Sequence, residues 1–226
     1  MNRSIIVVTG VAGALGSKVA EVLAEAGLGV VGIDKADTLP HGSAMALALG
    51  GIDLTDETST QRAFAQIKQA LGEIDGLVNI AGGFRWETVQ KGSLDTWDFL
   101  YRMNVHTALI ASRGALPLFR SSGGAIVNIG AVAAQKAPLG LGAYAASKAG
   151  VARLTESLAE ELKDRNIRVN AILPSIIDTP ANRKEMADAA FDRWVSPASL
   201  SEVIKFLLSP ASRDITGALI PVTGRV

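Results

Sequence analysis

The chain contains no cysteine among its 226 residues and only two histidines, His41 and His106. The absence of cysteine excludes disulfide bonds, catalysis by a thiolate and zinc sites with cysteine ligands. The two histidines stand far apart, and neither has neighbours at a spacing typical of metal ligands. We therefore expect no metal site.

An excess of charge is also lacking, because 22 lysines and arginines balance 22 aspartates and glutamates for a formal net charge of +0. No basic run of the kind that follows a phosphate backbone is present, so nucleic acid is not an expected partner. No stretch reaches the roughly 20 consecutive apolar residues that cross a bilayer. We predict a cytoplasmic protein that binds no membrane.

What the chain does contain is a regular alternation of apolar strands and amphipathic helices. This alternation predicts an α/β fold with a doubly wound parallel sheet of about seven strands, Rossmann-like, with helices on both faces. The composition shows no break, so residues 1–226 are predicted to form one domain. The third strand is expected to end at residues 52–54, after a loose connection over residues 35–50, and one long helix is expected over residues 94–118.

The opening residues, MNRSIIVVTGVAGALG, place a positive residue before an apolar run, as a secretory signal does. The glycine-rich continuation fits a strand and a phosphate-binding turn better. Glycines let the backbone approach an anion closely, and the N-terminus of the following helix offers free N–H groups and the positive end of its dipole. A strand, a glycine-rich turn and a helix in this order predict a dinucleotide site at Gly10, Gly13 and Gly16.

Asp34 ends the second predicted strand, 18 positions after Gly16. At this spacing an acid accepts hydrogen bonds from an adenosine ribose and repels a 2′-phosphate, which favours NAD(H) and leaves NADP(H) possible beside Lys35. The alternative is a surface aspartate that merely ends a strand. Asp53 has two interpretations as well: it contacts the adenine edge, or it caps the helix that begins near Asp56.

Small residues, Ala81, Gly82 and Gly83, follow the fourth predicted strand and allow a flat ligand to pass close to the backbone. The next aromatic residues, Phe84 and Trp86, either stack on a planar substrate or cover the core. A later stretch, residues 174–197, breaks the alternation of strands and helices between two prolines. A long excursion at this edge of the sheet predicts a lid over the substrate.

Tyr144 and Lys148 are four residues apart in a predicted helix, so their side chains share one face. An ammonium beside a phenol favours the phenolate, and we expect Lys148 to lower the pKa of Tyr144 and make it an acid or base near neutral pH. The alternative is structural: Tyr144 anchors a helix end and Lys148 lies in solvent. Asn104, an amide inside an apolar stretch, needs partners and is expected to hold a water next to Lys148.

Three motifs resemble those of the short-chain dehydrogenase/reductase family: TGVAGALG at residues 9–16, NIAG at residues 79–82 and YAASK at residues 144–148. The resemblance implies that Tyr144 protonates the substrate, that Lys148 holds the nicotinamide ribose and tunes Tyr144, and that Asn104 supports a proton relay. It also implies a homodimer or homotetramer joined through the long helices.

Two positions depart from the family pattern. Ala14 stands where the family has its middle glycine, and Ala131, thirteen residues before Tyr144, stands where most members have a serine that steadies the substrate carbonyl. A methyl group donates no hydrogen bond. Both departures, together with the sequence DTPANRKEM in the predicted lid, resemble the quinonoid dihydropteridine reductase branch, although Phe84 stands where that branch usually has tryptophan.

The motifs and the resemblance together predict an NAD(P)-dependent oxidoreductase with Tyr144, Lys148 and Asn104 as catalytic residues. The preferred substrate is a flat conjugated small molecule such as a quinonoid dihydropteridine. The alternatives are an ordinary carbonyl reductase or alcohol dehydrogenase and a non-catalytic NAD-binding protein. The predicted substrate residues are Phe84, Ala131 and Trp194. The predicted cofactor residues are Gly10, Gly13, Ala14, Leu15, Gly16, Asp34, Asp53, Leu54, Ala81, Gly82, Gly83, Tyr144, Lys148, Pro174, Ile177 and Thr179.

Overall fold

The computed structural model describes residues 3–39 and 45–226. The strands are β1 (Ile5–Thr9), β2 (Gly29–Ile33), β3 (Leu47–Leu49), β4 (Gly76–Asn79), β5 (Gly124–Ile129), β6 (Ile167–Pro174) and β7 (Leu219–Val222). The α-helices are α1 (Ala14–Glu25), α2 (Glu57–Leu71), α3 (Leu94–Tyr101), α4 (Thr107–Ala115), α5 (Gly142–Leu162), α6 (Pro180–Glu185) and α7 (Pro197–Leu208).

The strands form one seven-stranded parallel sheet in the order β3-β2-β1-β4-β5-β6-β7. Strand order reverses between β1 and β4, so a crevice opens beyond their carboxyl ends, where open α/β sheets bind ligands. The predicted doubly wound, Rossmann-like single-domain fold is confirmed.

Helices cover both faces of the sheet, and each face has its own apolar core. On one face Phe64 of α2, Ala111 of α4 and Leu158 of α5 pack against the strands. On the other face Leu23 of α1 and Ile204 of α7 do the same. Because the central strands are buried on both sides, their sequences are continuous apolar runs such as IIVVT in β1.

The predicted end of the third strand is wrong. β3 is only three residues long, Leu47–Leu49, and residues 52–54 lie in the loop beyond it. The chain turns away because Gly51 has a φ of +70°, which L side chains rarely adopt. A Cβ on Gly50 would lie 2.3 Å from the carbonyl oxygen of Asp37. Gly50 and Gly51 therefore allow the backbone to pass close to Asp37 as it leaves the direction of the strand.

The predicted long helix over residues 94–118 is interrupted. Between α3 and α4 the residues Arg102–His106 form a π-helical turn, and the segment ends in a 3₁₀ turn at Leu116–Leu118. In the predicted lid, α6 is followed by a 3₁₀ turn at Phe191–Arg193, and Ile177 pairs with Val195 through an isolated bridge. The lid therefore has its own compact structure, while its role as a lid stays a prediction.

Within residues 3–39 and 45–226, no helix is both long and apolar enough to span a bilayer. The same residues contain no group of three or more histidine, cysteine, aspartate or glutamate side chains arranged to hold a metal ion. His41 and the centre of the predicted loose connection lie outside the described residues.

Candidate active site

A cleft of about 720 Å³ lies at the carboxyl edge of the sheet, above the point where strand order reverses. Twelve of the predicted cofactor residues line it: Gly10, Gly13, Ala14, Leu15, Gly16, Asp34, Asp53, Leu54, Ala81, Gly82, Ile177 and Thr179. The other predicted positions, Gly83, Tyr144, Lys148 and Pro174, lie outside this lining. Their predicted contact with a cofactor stays a prediction.

The glycines of the first turn are required by close backbone approaches. Gly10 has a φ of +71°, and a Cβ there would lie 2.7 Å from the backbone nitrogen of Ala81. A Cβ on Gly16 would lie 2.1 Å from the carbonyl oxygen of Gly10. By contrast, a Cβ on Gly13 would meet only that same oxygen, at 3.4 Å. Gly10 and Gly16 therefore allow the turn to fold tightly enough to leave space for an anionic ligand.

Asp34 faces the glycine-rich turn. Its carboxylate accepts hydrogen bonds from the backbone N–H groups of Ala12, at 2.9 Å, and Ala36, at 3.0 Å. These bonds fix the carboxylate at the cleft wall, where it can accept further bonds from ribose hydroxyls. The Asp34 side chain thus forms part of the cleft wall, and its contact with an adenosine ribose stays a prediction.

Asp53 also lines the cleft but does not cap a helix, because Asp56 is the N-cap residue of α2. The Asp53 carboxylate accepts hydrogen bonds from the backbone N–H and the hydroxyl of Thr55. These bonds, with a smaller contribution from the Lys35 ammonium 3.7 Å away, lower the pKa of Asp53. The capping interpretation is therefore wrong, and contact of Asp53 with the adenine edge stays a prediction.

Tyr144 and Lys148 lie on one face of α5, with the lysine Nζ 5.9 Å from the centre of the tyrosine ring. Lys148 is only 7% exposed, and its Nζ donates a 2.8 Å hydrogen bond to the carbonyl oxygen of Ile129, which lines the cleft. The pair is therefore joined to the cleft wall through the end of β5. The structural alternative, with Lys148 in solvent, is wrong.

The expectation that Lys148 lowers the pKa of Tyr144 is also wrong. Burial raises the pKa of Tyr144 to about 12. Burial likewise lowers the pKa of Lys148 to about 8. Both shifts have the same cause, because removing a group from water disfavours its charged form. Tyr144 is therefore a fully protonated phenol at neutral pH.

Asn104 lies in the π-helical turn and is 2% exposed. Its side-chain oxygen accepts from the N–H of Gly83 at 2.9 Å, and its amide group donates to the Gly83 carbonyl at 3.1 Å and to the Ser147 hydroxyl at 2.9 Å. Ser147 in turn donates to the carbonyl of Tyr144 at 2.7 Å. The amide thus ties the loop after β4 to the start of α5, and its predicted contact with a water beside Lys148 stays a prediction.

Two of the three predicted substrate residues lie beside Tyr144. The Phe84 ring is 52% exposed and meets the Tyr144 ring edge to face, with centroids 5.0 Å apart. Ala131 is buried in a small apolar cluster that Tyr144 packs against. The third residue, Trp194, is 9% exposed, and its ring packs against Phe191 within the predicted lid.

Trp86 is 59% exposed, so neither aromatic residue of the loop after β4 covers the core.

The cleft is also lined by residues that were not predicted from the sequence. These are Lys35, Ile52, Thr55, Ile80, Met103, Thr107, Ile129, Pro180 and Ala181. Thr55 and Thr107 could have been predicted from the sequence, because each is a hydroxyl residue within three positions of a predicted polar site residue.

A buried polar network holds α5 on the sheet. Asn79 of β4 donates to the side chain of Asn128 on β5 at 2.9 Å, and Asn128 donates to the Thr155 hydroxyl on α5 at 2.9 Å. Thr155 follows Lys148 by seven residues, about two helical turns, so the network fixes the face of α5 that carries the lysine. No local pattern in the sequence indicated this link, because the three residues lie far apart in the chain.

Comparison with known proteins agrees with this geometry. The family model described as short chain dehydrogenase matches residues 4–190. Carbonyl reductase family member 4 from Danio rerio is 32% identical over 99% of this chain and 98% of its own length. The 3-oxoacyl-(acyl-carrier-protein) reductase FabG from Thermotoga maritima is 32% identical over 76% of this chain and 74% of its own. The ligand-free aldohexose dehydrogenase of Thermoplasma acidophilum is 26% identical with a TM-score of 0.88, covering 99% of this chain and 93% of that one.

The chain therefore belongs to the short-chain dehydrogenase/reductase family, and it is an NAD(P)-dependent oxidoreductase by class. The relatives fit the ordinary carbonyl and alcohol chemistry of the family better than the resemblance to quinonoid dihydropteridine reductase, which they do not specifically support.

Proposed function

We propose that this protein interconverts a carbonyl group and a hydroxyl group on a small molecule, using a nicotinamide dinucleotide held in the cleft. The observation that carries the proposal is the half-buried Tyr144 beside the buried Lys148, which is joined to the cleft wall by its bond to Ile129. A phenol and an ammonium in this arrangement perform general acid and base chemistry. The relatives named as reductases and dehydrogenases support the same reaction type.

The residues of the cleft fit a dinucleotide. The tight turn at Gly10 and Gly16 would hold the pyrophosphate, and the Asp34 carboxylate would accept bonds from the adenosine ribose. Lys148 would hold the nicotinamide ribose. When bound, the nicotinamide supplies hydride transfer, and the cationic charge of its oxidised form favours ionisation of a neighbouring phenol.

Tyr144 holds the proton that reduction requires. Because its pKa is raised to about 12, the phenol stays protonated through neutral pH and can donate to the oxygen of a substrate as that oxygen gains charge. The Lys148 ammonium, which is protonated below about pH 8, then stabilises the phenolate that remains. A protonated Tyr144 is the form that reduction of a carbonyl group requires.

A second candidate, the reduction of a flat conjugated ring such as a quinonoid dihydropteridine, is favoured by one observation. The methyl group of Ala131 offers no hydrogen bond to a ketone oxygen, while the exposed ring of Phe84 beside Tyr144 offers a stacking surface. A conjugated ring needs protonation but forms no ketone-derived alkoxide, so the missing donor costs it less.

We further propose that NADH is preferred over NADPH. Asp34 supports this preference, because its fixed carboxylate at the cleft wall would repel a 2′-phosphate. Lys35 opposes it only weakly, since this ammonium lies next to Asp53. Isothermal titration with both nucleotides tests the proposal, and tighter binding of NADPH would contradict it.

A homodimer or homotetramer is proposed from the exposed apolar side chains of α3, Leu94, Trp97 and Tyr101. Large apolar groups grouped on one exposed helix favour burial against a second copy. Light scattering of the purified protein measures this assembly directly. A monomeric mass at micromolar concentration would contradict the proposal. A cytoplasmic location remains a prediction.

The decisive experiment is a steady-state assay of the purified protein with NADH and NADPH. The substrates are aliphatic ketones, a 3-oxoacyl thioester and quinonoid dihydropterin. Turnover of ketones or of the thioester supports the main proposal, and turnover of the dihydropterin alone supports the second candidate. If the protein binds NADH tightly but converts none of them, the remaining hypothesis is a non-catalytic NAD-binding protein.

A further inference from the structure

Two hydrogen bonds hold together two loops beside Tyr144. The first loop, residues 83–93, follows β4, and the second, residues 130–141, leads into α5. The indole N–H of Trp86 donates to the carbonyl oxygen of Leu139 at 3.1 Å. The backbone N–H of Glu87 donates to the carbonyl oxygen of Gly140 at 2.8 Å. We call Trp86, Glu87, Leu139 and Gly140 the strap.

Gly140 makes the strap possible. It has a φ of +75°, and a Cβ at this position would lie 2.1 Å from Cε2 of Trp86. An L side chain here would be strained and would also displace the indole ring. The ring therefore lies directly on the backbone of the second loop, which brings its N–H within reach of the neighbouring carbonyl.

Phe84 lies between two fixed points of the first loop. On one side Gly83 is held at both its N–H and its carbonyl by the buried amide of Asn104. On the other side the strap begins at Trp86. Between them the Phe84 ring contacts Tyr144 while remaining half exposed. Anchors on both sides hold a side chain in one orientation without burying it.

We propose that Trp86 is a positioning residue that determines which substrates reach Tyr144. The strap holds the Phe84 ring as a fixed wall beside the phenol, so the site accepts narrow substrates and rejects bulky ones. An outer cleft of about 860 Å³, lined by Trp86, Gly140 and Gly142 among others, lies against the strap. Gly142 begins α5, the helix that carries Tyr144, so this cleft lies against the same helix as the phenol.

The proposal rests on the proposed role of Tyr144 as proton donor, and substrate selectivity tests it. The variants are Trp86→Phe, which keeps a ring but loses the N–H, Trp86→Ala, and Gly140→Ala, which displaces the indole. Gln135→Ala is the control, because it removes an exposed side chain of the second loop that lines neither cleft. Each variant is assayed with a methyl ketone and a bulky aryl ketone, and its NADH affinity is measured.

Loss of one hydrogen bond in Trp86→Phe is expected to raise the ratio of kcat/KM for the bulky ketone to that for the small one by roughly three- to tenfold. Trp86→Ala and Gly140→Ala are expected to raise it further, mainly through a lower KM for the bulky ketone. NADH affinity and the ratio in Gln135→Ala should not change. An unchanged ratio in both Trp86→Ala and Gly140→Ala overturns the proposal.

Hydrogen exchange separates this proposal from the proposed function. The strap protects the Glu87 amide, and exchange at Glu87 should be fast in Trp86→Ala and slow in the parent protein. A fast rate in the parent protein overturns the strap even if ketones are reduced. A slow rate in a parent protein that converts no tested substrate means that the proposed function is wrong, and the assigned effect on selectivity fails with it.

Discussion

The two ends of the active-site region consist of different kinds of chemical group. The nucleotide end consists mainly of backbone, small residues and one fixed carboxylate, with Gly16 packed so closely on Gly10 that no other residue fits. The proposed substrate end consists of side chains, and there Ala131 places a methyl group where the resemblance to the family predicts a hydroxyl. Nucleotide binding thus relies on groups that every chain has, whereas the chemistry depends on a few side chains and changes when one of them changes.

Removal of the Tyr144 hydroxyl should have the largest effect and should be confined to the substrate end. Tyr144→Phe is expected to lower kcat by roughly 10²- to 10⁴-fold, the usual contribution of a general acid. The only other tyrosine, Tyr101, is half exposed on α3, so Tyr101→Phe is the control. Stopped-flow measurement of NADH oxidation checks the rate. Equal rates in the two variants would remove Tyr144 as proton donor.

Restoring a hydroxyl at Ala131 should bring the substrate end closer to the family pattern. An added donor to an oxyanion contributes on the order of 2.7–4 kcal/mol, so Ala131→Ser is expected to raise ketone turnover by about 10²- to 10³-fold. Ala133→Ser places a hydroxyl in the same buried cluster and serves as the control. If the control gains as much activity, or Ala131→Ser gains none, the missing donor does not limit this site.

The nucleotide end should respond to the charge of Asp34. Asp34→Asn removes repulsion towards a 2′-phosphate, and the ratio of the NADPH to the NADH association constant is expected to rise about tenfold. Asp37→Asn removes the same charge from the adjoining loop without touching the cleft lining. Calorimetric titration of both variants with both nucleotides gives the ratio. An equal shift in Asp37→Asn would mean that only the net charge matters.

The buried lysine should give a stability change that depends on pH. Because the pKa of Lys148 falls from 10.5 to about 8 on folding, the unfolded chain binds a proton there between pH 8 and 10.5 that the folded chain does not. Relative to Lys148→Met, the parent protein should therefore gain stability as pH rises from 8 to 10. Tyr144 is present in both proteins, so its own titration above pH 10 largely cancels in the difference.

Thermal unfolding of both proteins at several pH values measures this difference. Lys68→Met is the control, because Lys68 is exposed on α2. A stability difference between the parent protein and Lys148→Met that stays constant from pH 7 to 10 would show that Lys148 titrates at its ordinary pKa in the folded protein.

Local pattern was sufficient for most of the fold. Apolar runs predicted strands close to the positions of β1, β2, β4, β5, β6 and β7, because strands inside a parallel sheet are mostly apolar. The third strand was misplaced, since only three residues of β3 pair with β2 and the following glycines redirect the chain. The interruption of the long helix at Arg102–His106 was also missed, because a π-helical turn leaves no distinct pattern of apolar residues.

The sequence by itself determined the α/β fold, the glycine-rich turn and the pairing of Tyr144 with Lys148, since these follow from spacing along one strand or helix. Only the tertiary structure decided the ionisation of that pair, because desolvation depends on every element that packs around a group. Only the tertiary structure also showed the amide of Asn104 bonded to Gly83 and Ser147, and Trp86 fastened to Leu139. These contacts join residues far apart in the chain, so no local pattern records them.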